Sequence, residues 1–212
     1  MRQTERVAAV LEALAADGTV DVTALVERLG VSAATVRRDL QLLEEQRMLS
    51  RTHGGAVAHD VLYELPLRYK AARHPAEKRR IAAEAATRVA DGAVVGLTGG
   101  TARPESYELV GPVAEQALER LNLDVAFVGV DGISLEAGLT THHEIEAHTN
   151  RTMIERARSV VVVADSSKLG RVAFAQICAL DAVNELISDE AVPTAMLGEL
   201  TAAGIAVTVA TG

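Results

Sequence analysis

Apolar residues recur along the first 45 positions with the spacing of helices. Val7, Val10, Leu11 and Leu14 share one side of a stretch from Arg2 to Ala15, and Asp17-Gly18 interrupts it. Val22, Leu25 and Leu29 mark a short second helix that Asp21 can cap. Gly30 closes that stretch, and Ser32 suits the N-cap of a third helix beginning at Ala33, with Val31 and Val36 placed as a hydrophobic staple. Val36, Leu40 and Leu43 fall at i, i+4 and i+7, which buries one stripe. The opposite face carries Ala34, Arg38 and Gln41, with Thr35 and Arg37 on its flanks. Leu49 to Val57 predicts two short strands around a Gly54-Gly55 turn. Helix, short helix, glycine turn, longer helix and hairpin is the order of a winged helix-turn-helix, here over residues 1–57.

Beyond this the pattern changes. Residues 58–76 read as a linker, punctuated by Pro66 and Pro75 and kept solvated by Arg68, Lys70 and Arg73. A helical period returns from Glu77 to Val89 and ends at Asp91-Gly92. Ala93 to Leu97, Asp124 to Val130 and Ser159 to Ala164 are near-continuous apolar runs of the kind buried in parallel sheets, and Ile205 to Val209 predicts a last strand. Helical stretches at Pro112–Leu121, His142–Arg158 and Thr194–Ala203 separate them. The alternation predicts a C-terminal α/β domain with a mostly parallel sheet over residues 77–212.

The net charge of −8 argues against nucleic acid until it is divided. Residues 1–80 hold 13 Lys/Arg and 11 Asp/Glu, whereas residues 81–212 hold 8 and 18. The acidity therefore belongs to the second domain, and Arg28 to Arg51 carries five arginines against Asp39, Glu44 and Glu45. A weakly basic reading head binds DNA modestly alone, because affinity grows with the number of phosphates neutralised. Two heads spaced for successive major grooves compensate, so a homodimer or higher homo-oligomer is expected. The single Cys178 allows no intrachain disulfide, and no apolar run reaches the length of a membrane span. Both point to a cytoplasmic protein.

Adjacent arginines on a helix are usually a solvated surface. The capped third helix with its two preceding helices and wing changes that reading. Small residues at its start followed by arginines and a glutamine suit entry into a major groove. Ser32, Ala34, Thr35, Arg37, Arg38 and Gln41 are the candidate contacts to double-stranded DNA, with Arg51 and His53 of the wing placed for phosphate. In the second domain, ligands are expected beyond the carboxyl ends of strands. Thr98-Gly99-Gly100-Thr101, Asp131-Gly132 and Lys168 stand there. Glycine turns with threonines offer N–H and hydroxyl donors to a phosphate, Lys168 adds a positive charge, and Asp131 can accept from sugar hydroxyls. Each is weak alone, since Thr-Gly-Gly and Asp-Gly are ordinary turn sequences. The spacing GxGxxG is absent from the Thr98 loop, which disfavours a dinucleotide cofactor. His142 and His143 are adjacent and face different directions on a helix, so no metal site is expected.

The stretch Val22 to Val57 resembles the winged helix of the DeoR family of bacterial transcriptional regulators. The match rests on Ser32, Thr35, Arg37, Arg38, Asp39, Leu40, Leu43, Glu44, Arg51, His53, Gly54 and Gly55. Arg47 departs from it, near where the family places a glycine after the recognition helix. The C-terminal half resembles the DeoR sensor domain, similar in fold to ribose-5-phosphate isomerase. That match rests on Arg103 to Pro112, Gly129 to Ile133, Gly138 to Thr141 with Glu144, Asn150 to Ala157, and Ala164 to Gly170 with Phe174-Ala175. The resemblance implies a phosphorylated-sugar effector, bound with the help of Glu144, that releases a repressor from its operator. Proton transfer at a sugar phosphate by Asp131, Glu144 and Lys168 is the enzymatic alternative; a DNA-binding domain on the same chain favours sensing. One further departure stands out. The family has two glycine-rich turns, whereas here Ala93 to Gly100 runs straight into Thr101-Ala-Arg-Pro. A deletion between two similar Thr-Gly-Gly sequences accounts for the merger and removes at least one strand-helix-strand unit of roughly 30 residues. The isomerase-like domain is then incomplete, and a constitutive DNA-binding remnant with a defective sensor is the third reading.

Overall fold

A computed structural model describes residues 2–46, 48–57, 74–96, 99–103, 106 and 108–211. The chain divides into two compact units, Met1–Arg73 and His74–Gly212. Most of the predicted linker, residues 58–73, lies outside the described residues, as do Arg47 and Thr98.

The first unit contains helices α1 (Gln3–Asp17), α2 (Val22–Leu29) and α3 (Ala33–Glu45), with strands β1 (Thr19–Asp21), β2 (Ser50–Arg51) and β3 (Gly55–Val57). The predicted stripes form one core: Val7, Val10, Leu11 and Leu14 of α1, Val22 and Leu25 of α2, and Val36, Leu40 and Leu43 of α3 are buried together with Leu49 and Ala56. Full burial of such side chains contributes about 1.5–3 kcal/mol each. The caps follow the sequence. The Asp21 carboxylate accepts from the N–H groups of Thr23 and Ala24, the Ser32 hydroxyl accepts from that of Thr35, and Gly18 and Gly30 end α1 and α2 in the left-handed conformation. Strand β1 was not legible as one. It pairs antiparallel with β3, which also pairs with β2, so the wing is a three-stranded sheet. Gly55 is required there: a Cβ would stand 1.8 Å from the Val20 carbonyl oxygen.

The second unit begins with α4 (Pro75–Ala86) and a short hairpin of β4 (Thr101–Ala102) and β5 (Leu109–Val110), followed by α5 (Pro112–Leu118). Strands β6 (Leu123–Gly129), β9 (Ala157–Val163), β11 (Glu185–Ser188) and β12 (Ala206–Val209) form a parallel sheet in the order β12-β11-β9-β6. Strands β7 (Gly132–Ser134), β8 (Gly138–Thr141) and β10 (Ala175–Cys178) form a second, antiparallel sheet in the order β10-β8-β7. Helices α6 (Glu144–Glu155) and α7 (Thr194–Ala202) complete the unit. The fold is thus a helix-turn-helix unit plus an α/β unit with a four-stranded parallel sheet.

One face of that parallel sheet packs Ala126, Val128, Val160, Val162 and Leu186 with Ile154 and Leu200 of the helices. The other packs Val161 and Ile187 against Ile81 of α4. Arg88, just after α4, ties this layer down by ion pairs to Glu84 and, at 2.6 Å, to Glu185 of β11. Helix α6 stops at Glu155, short of the predicted Arg158, because the apolar run from Ala157 enters the sheet.

The predicted buried strand at Ala93–Leu97 is a correction. Ala93 to Gly96 takes no strand conformation, and Val94 and Val95 are 97% and 80% exposed. An apolar run becomes a strand only where a neighbouring strand supplies hydrogen-bond partners, and none of the described residues does so here.

Candidate nucleic-acid interface and effector site

Helix α3 presents the surface its sequence predicts. Ala34, Arg37, Arg38 and Gln41 are exposed on it, as is Ser32 at its cap, while Thr35 is half-buried. The Ser32 and Thr35 hydroxyls lie 2.9 Å apart, which orders the start of the helix. Gln41 donates to Glu45 at 3.0 Å, one turn along the same face. The residue between the arginine pair and the core, Asp39, is 1% exposed and receives both Nε (2.7 Å) and NH2 (3.1 Å) of Arg6 from α1. That two-pronged pair holds α3 against α1 and aims Arg37 and Arg38 outward. Asp39 was not singled out as functional from sequence; an acidic residue at a position facing the core was the available signal. In the wing, the backbone N–H of Arg51 donates to Glu44 at 3.1 Å and its guanidinium stands 3.7 Å from the same carboxylate, which joins the hairpin to the end of α3. His53 is exposed beside Gly54.

In the second unit, the predicted effector residues separate into two places. Asp131 and Lys168 come together: Lys168 Nζ is 3.2 Å from the buried Asp131 carboxylate. The Thr141 hydroxyl oxygen lies 3.1 Å from the same carboxylate, and His142 Nδ1 lies 2.8 Å from it. Gly132 lies beside them because only glycine fits; a Cβ would meet the Arg171 carbonyl oxygen at 2.5 Å and the Thr140 hydroxyl at 2.6 Å. Glu144 is exposed at the first position of α6. The carboxylate that joins the cluster is Glu146, buried, accepting from Thr141 at 2.7 Å and paired with Arg103. A shift of two helical positions separates these residues by about 200°, so only one of them can face inward.

Gly99, Gly100 and Thr101 sit with the β4–β5 hairpin and are exposed. Gly100 has φ +114°, and a Cβ on it would stand 2.7 Å from the Val110 carbonyl oxygen. The structure links this hairpin to the Asp131 cluster through Arg103, which pairs with Glu146 and lies 3.8 Å from Glu108. Burial, and next the charge of Glu146, push the Glu108 carboxyl up to about 7. Arg103 and Glu108 were not predicted as site residues; their roles depend on a contact across 43 residues of sequence. At the end of β11, Asp189 accepts from the N–H groups of Ser166 and Ala191, and Asp165 caps the turn that carries Lys168. These bonds fix the turn from which Lys168 reaches Asp131. The arrangement offers an anion a lysine, an arginine and hydroxyl donors, and offers sugar hydroxyls a buried carboxylate.

The family model described as DeoR-like helix-turn-helix domain matches residues 6–61, and that described as DeoR C terminal sensor domain matches residues 94–190. The chain is 33% identical to the HTH-type transcriptional regulator GlpR of Haloferax volcanii over 98% of both proteins. It is 31% identical to a putative aga operon transcriptional repressor of Escherichia coli O157:H7, covering 96% of this chain and 93% of that protein. It is 26% identical to the glycerol-3-phosphate regulon repressor of Escherichia coli K12, covering 95% and 96%. The first of these alignments runs over 249 positions yet takes in 98% of the 212 residues here, about 208, so about 41 of its positions face a gap in this chain. That total is of the size of one strand-helix-strand unit.

Proposed function

Since the chain belongs to the DeoR family of DNA-binding transcriptional regulators, we propose that it represses genes of carbohydrate metabolism and leaves its operator when a phosphorylated sugar binds. The observation that carries the DNA half is the exposed Ala34, Arg37, Arg38 and Gln41 face of α3, braced from behind by the Arg6–Asp39 pair. Side chains on such a face read base edges in a major groove, while Arg51 and His53 of the wing serve the phosphate backbone. Two copies acting together, in the cytoplasm, bring two such heads to successive grooves.

The effector reading rests on the Asp131, Lys168, Thr141, Glu146 and Arg103 cluster. Lys168 and Arg103 answer a phosphate and Asp131 the sugar hydroxyls. Gly99, Gly100 and Thr101 close the phosphate end through backbone N–H groups, and Gly132 keeps room beside Asp131. Names among the relatives favour this class of ligand, since one of them is a glycerol-3-phosphate regulon repressor. The family is one of regulators, not of enzymes, and the cluster is here a sensor.

A second reading has its own observation. The alignment gap of about 41 positions and the exposed Val94 and Val95 favour a deletion at the merged Gly99-Gly100 turn, and with it a repressor that no longer answers its effector. Genomic DNA pull-down repeated with a panel of sugar phosphates separates the two. Release of specific fragments by one phosphorylated sugar supports the switch; retention under every one of them supports the constitutive form; recovery of no specific fragment overturns both.

A further inference from the structure

We propose that the segment Ala93–Gly96 is an exchange strand that docks on the free edge of β6 in a second copy of this chain. The inference builds on the two-copy reading above and names the surface that joins the copies.

Strand β6 has the composition of an interior strand. Its Ala126 and Val128 pack on one face of the sheet, while Val125 and Phe127 pack on the other. Strands apolar on both faces belong inside parallel sheets, with partners on both sides. Among the described residues β6 pairs with β9 alone and ends the sheet. Its other edge therefore carries N–H and C=O groups available to a further strand.

The same unit holds the complementary piece. Ala93-Val94-Val95-Gly96 is uncharged and rich in β-branched residues, and its two valines are 97% and 80% exposed. It lies at the start of the match to the sensor family model, at residue 94, and is therefore part of the sensor and not of the linker. The Haloferax volcanii relative, aligned over 249 positions, carries about 41 that this chain lacks. Among the described residues, a sheet edge without a further strand and a strand-like segment without a sheet are thus found in one chain. Within one copy the segment stands in solvent, held by the turn at Ala90–Ala93 on one side and by the β4–β5 hairpin on the other. Reciprocal exchange across a two-fold axis satisfies both copies at once, because the same two surfaces occur on each.

Light scattering combined with amide hydrogen exchange tests this on the full chain. The wild-type protein is expected at twice the 22.4 kDa chain mass, with slowed exchange at Val94 to Gly96 and along β6. V94K/V95K alters only side chains that are exposed within one copy, so its circular dichroism still shows a folded chain while its mass falls by half, the slowed exchange at β6 is lost and its melting temperature drops with the loss of the partner copy. A wild-type dimer that survives V94K/V95K unchanged overturns the exchange interface and leaves the two-copy reading standing. A wild-type monomer overturns both, and slowed exchange at Val94 to Gly96 in that monomer places the segment on its own sheet. Aggregates without a fixed mass overturn the proposal as well.

Discussion

Glu108 is the residue whose surroundings alter its chemistry most visibly. It sits beside Arg103 and Glu146, and burial followed by the Glu146 charge raises its carboxyl to about 7 from an ordinary 4.5. The folded chain therefore holds a proton there that the unfolded chain has lost between those values. Its contribution to stability is full below about pH 4.5 and drains away as the pH rises through 7. Glu108→Gln removes this dependence, so its melting temperature is expected to fall less than that of wild type between pH 5 and pH 8. Parallel melting curves for the two proteins over that range contradict the assignment. The sequence carried no sign of this. Asp131 and Lys168 were legible as residues following strands, but Glu144 and Glu146 are both acidic and only the helix phase decides which one turns inward. The Arg103 contact joins the hairpin to α6, and no local pattern records it.

At the scale of elements, legibility followed the range of the interactions. Helices α1, α2 and α3 declare themselves because their caps and apolar stripes are local: Asp21, Ser32, Gly18 and Gly30 act within one turn. Strand β1 does not, being three residues wedged between a glycine and a helix cap and existing only through its pairing with β3. The short antiparallel strands β7, β8 and β10 were missed for the same reason. Ala93–Gly96, the described part of the predicted strand, failed in the opposite sense, with strand-like composition and no partner strand among the described residues. The packing of α1 on α3 makes a sharp test. Arg6→Ala leaves the Asp39 carboxylate buried and unpaired, which costs about 3–5 kcal/mol. Urea unfolding of the variant is expected to show that loss, and Arg6→Ala/Asp39→Asn to recover part of it. A midpoint unchanged by Arg6→Ala contradicts the role given to the pair.

For the whole molecule, the division of charge and the division of fold coincide. The near-neutral first unit carries the reading helix, and the acidic second unit carries the polar cluster around Asp131. Both halves match models of the DeoR family, and the alignment to the Haloferax volcanii relative has about 41 positions that this chain lacks. In the proposed function, regulation by a ligand falls to the second unit and recognition of DNA to α3. The most direct test is a fluorescence-anisotropy titration of the operator duplex recovered from the genomic pull-down, with wild type and Arg38→Ala side by side at fixed salt. A lost base-edge contact costs about 1–3 kcal/mol, so Arg38→Ala is expected to bind roughly 5- to 150-fold more weakly with its unfolding unchanged. Equal affinity for the two proteins contradicts the assignment of the α3 face to DNA.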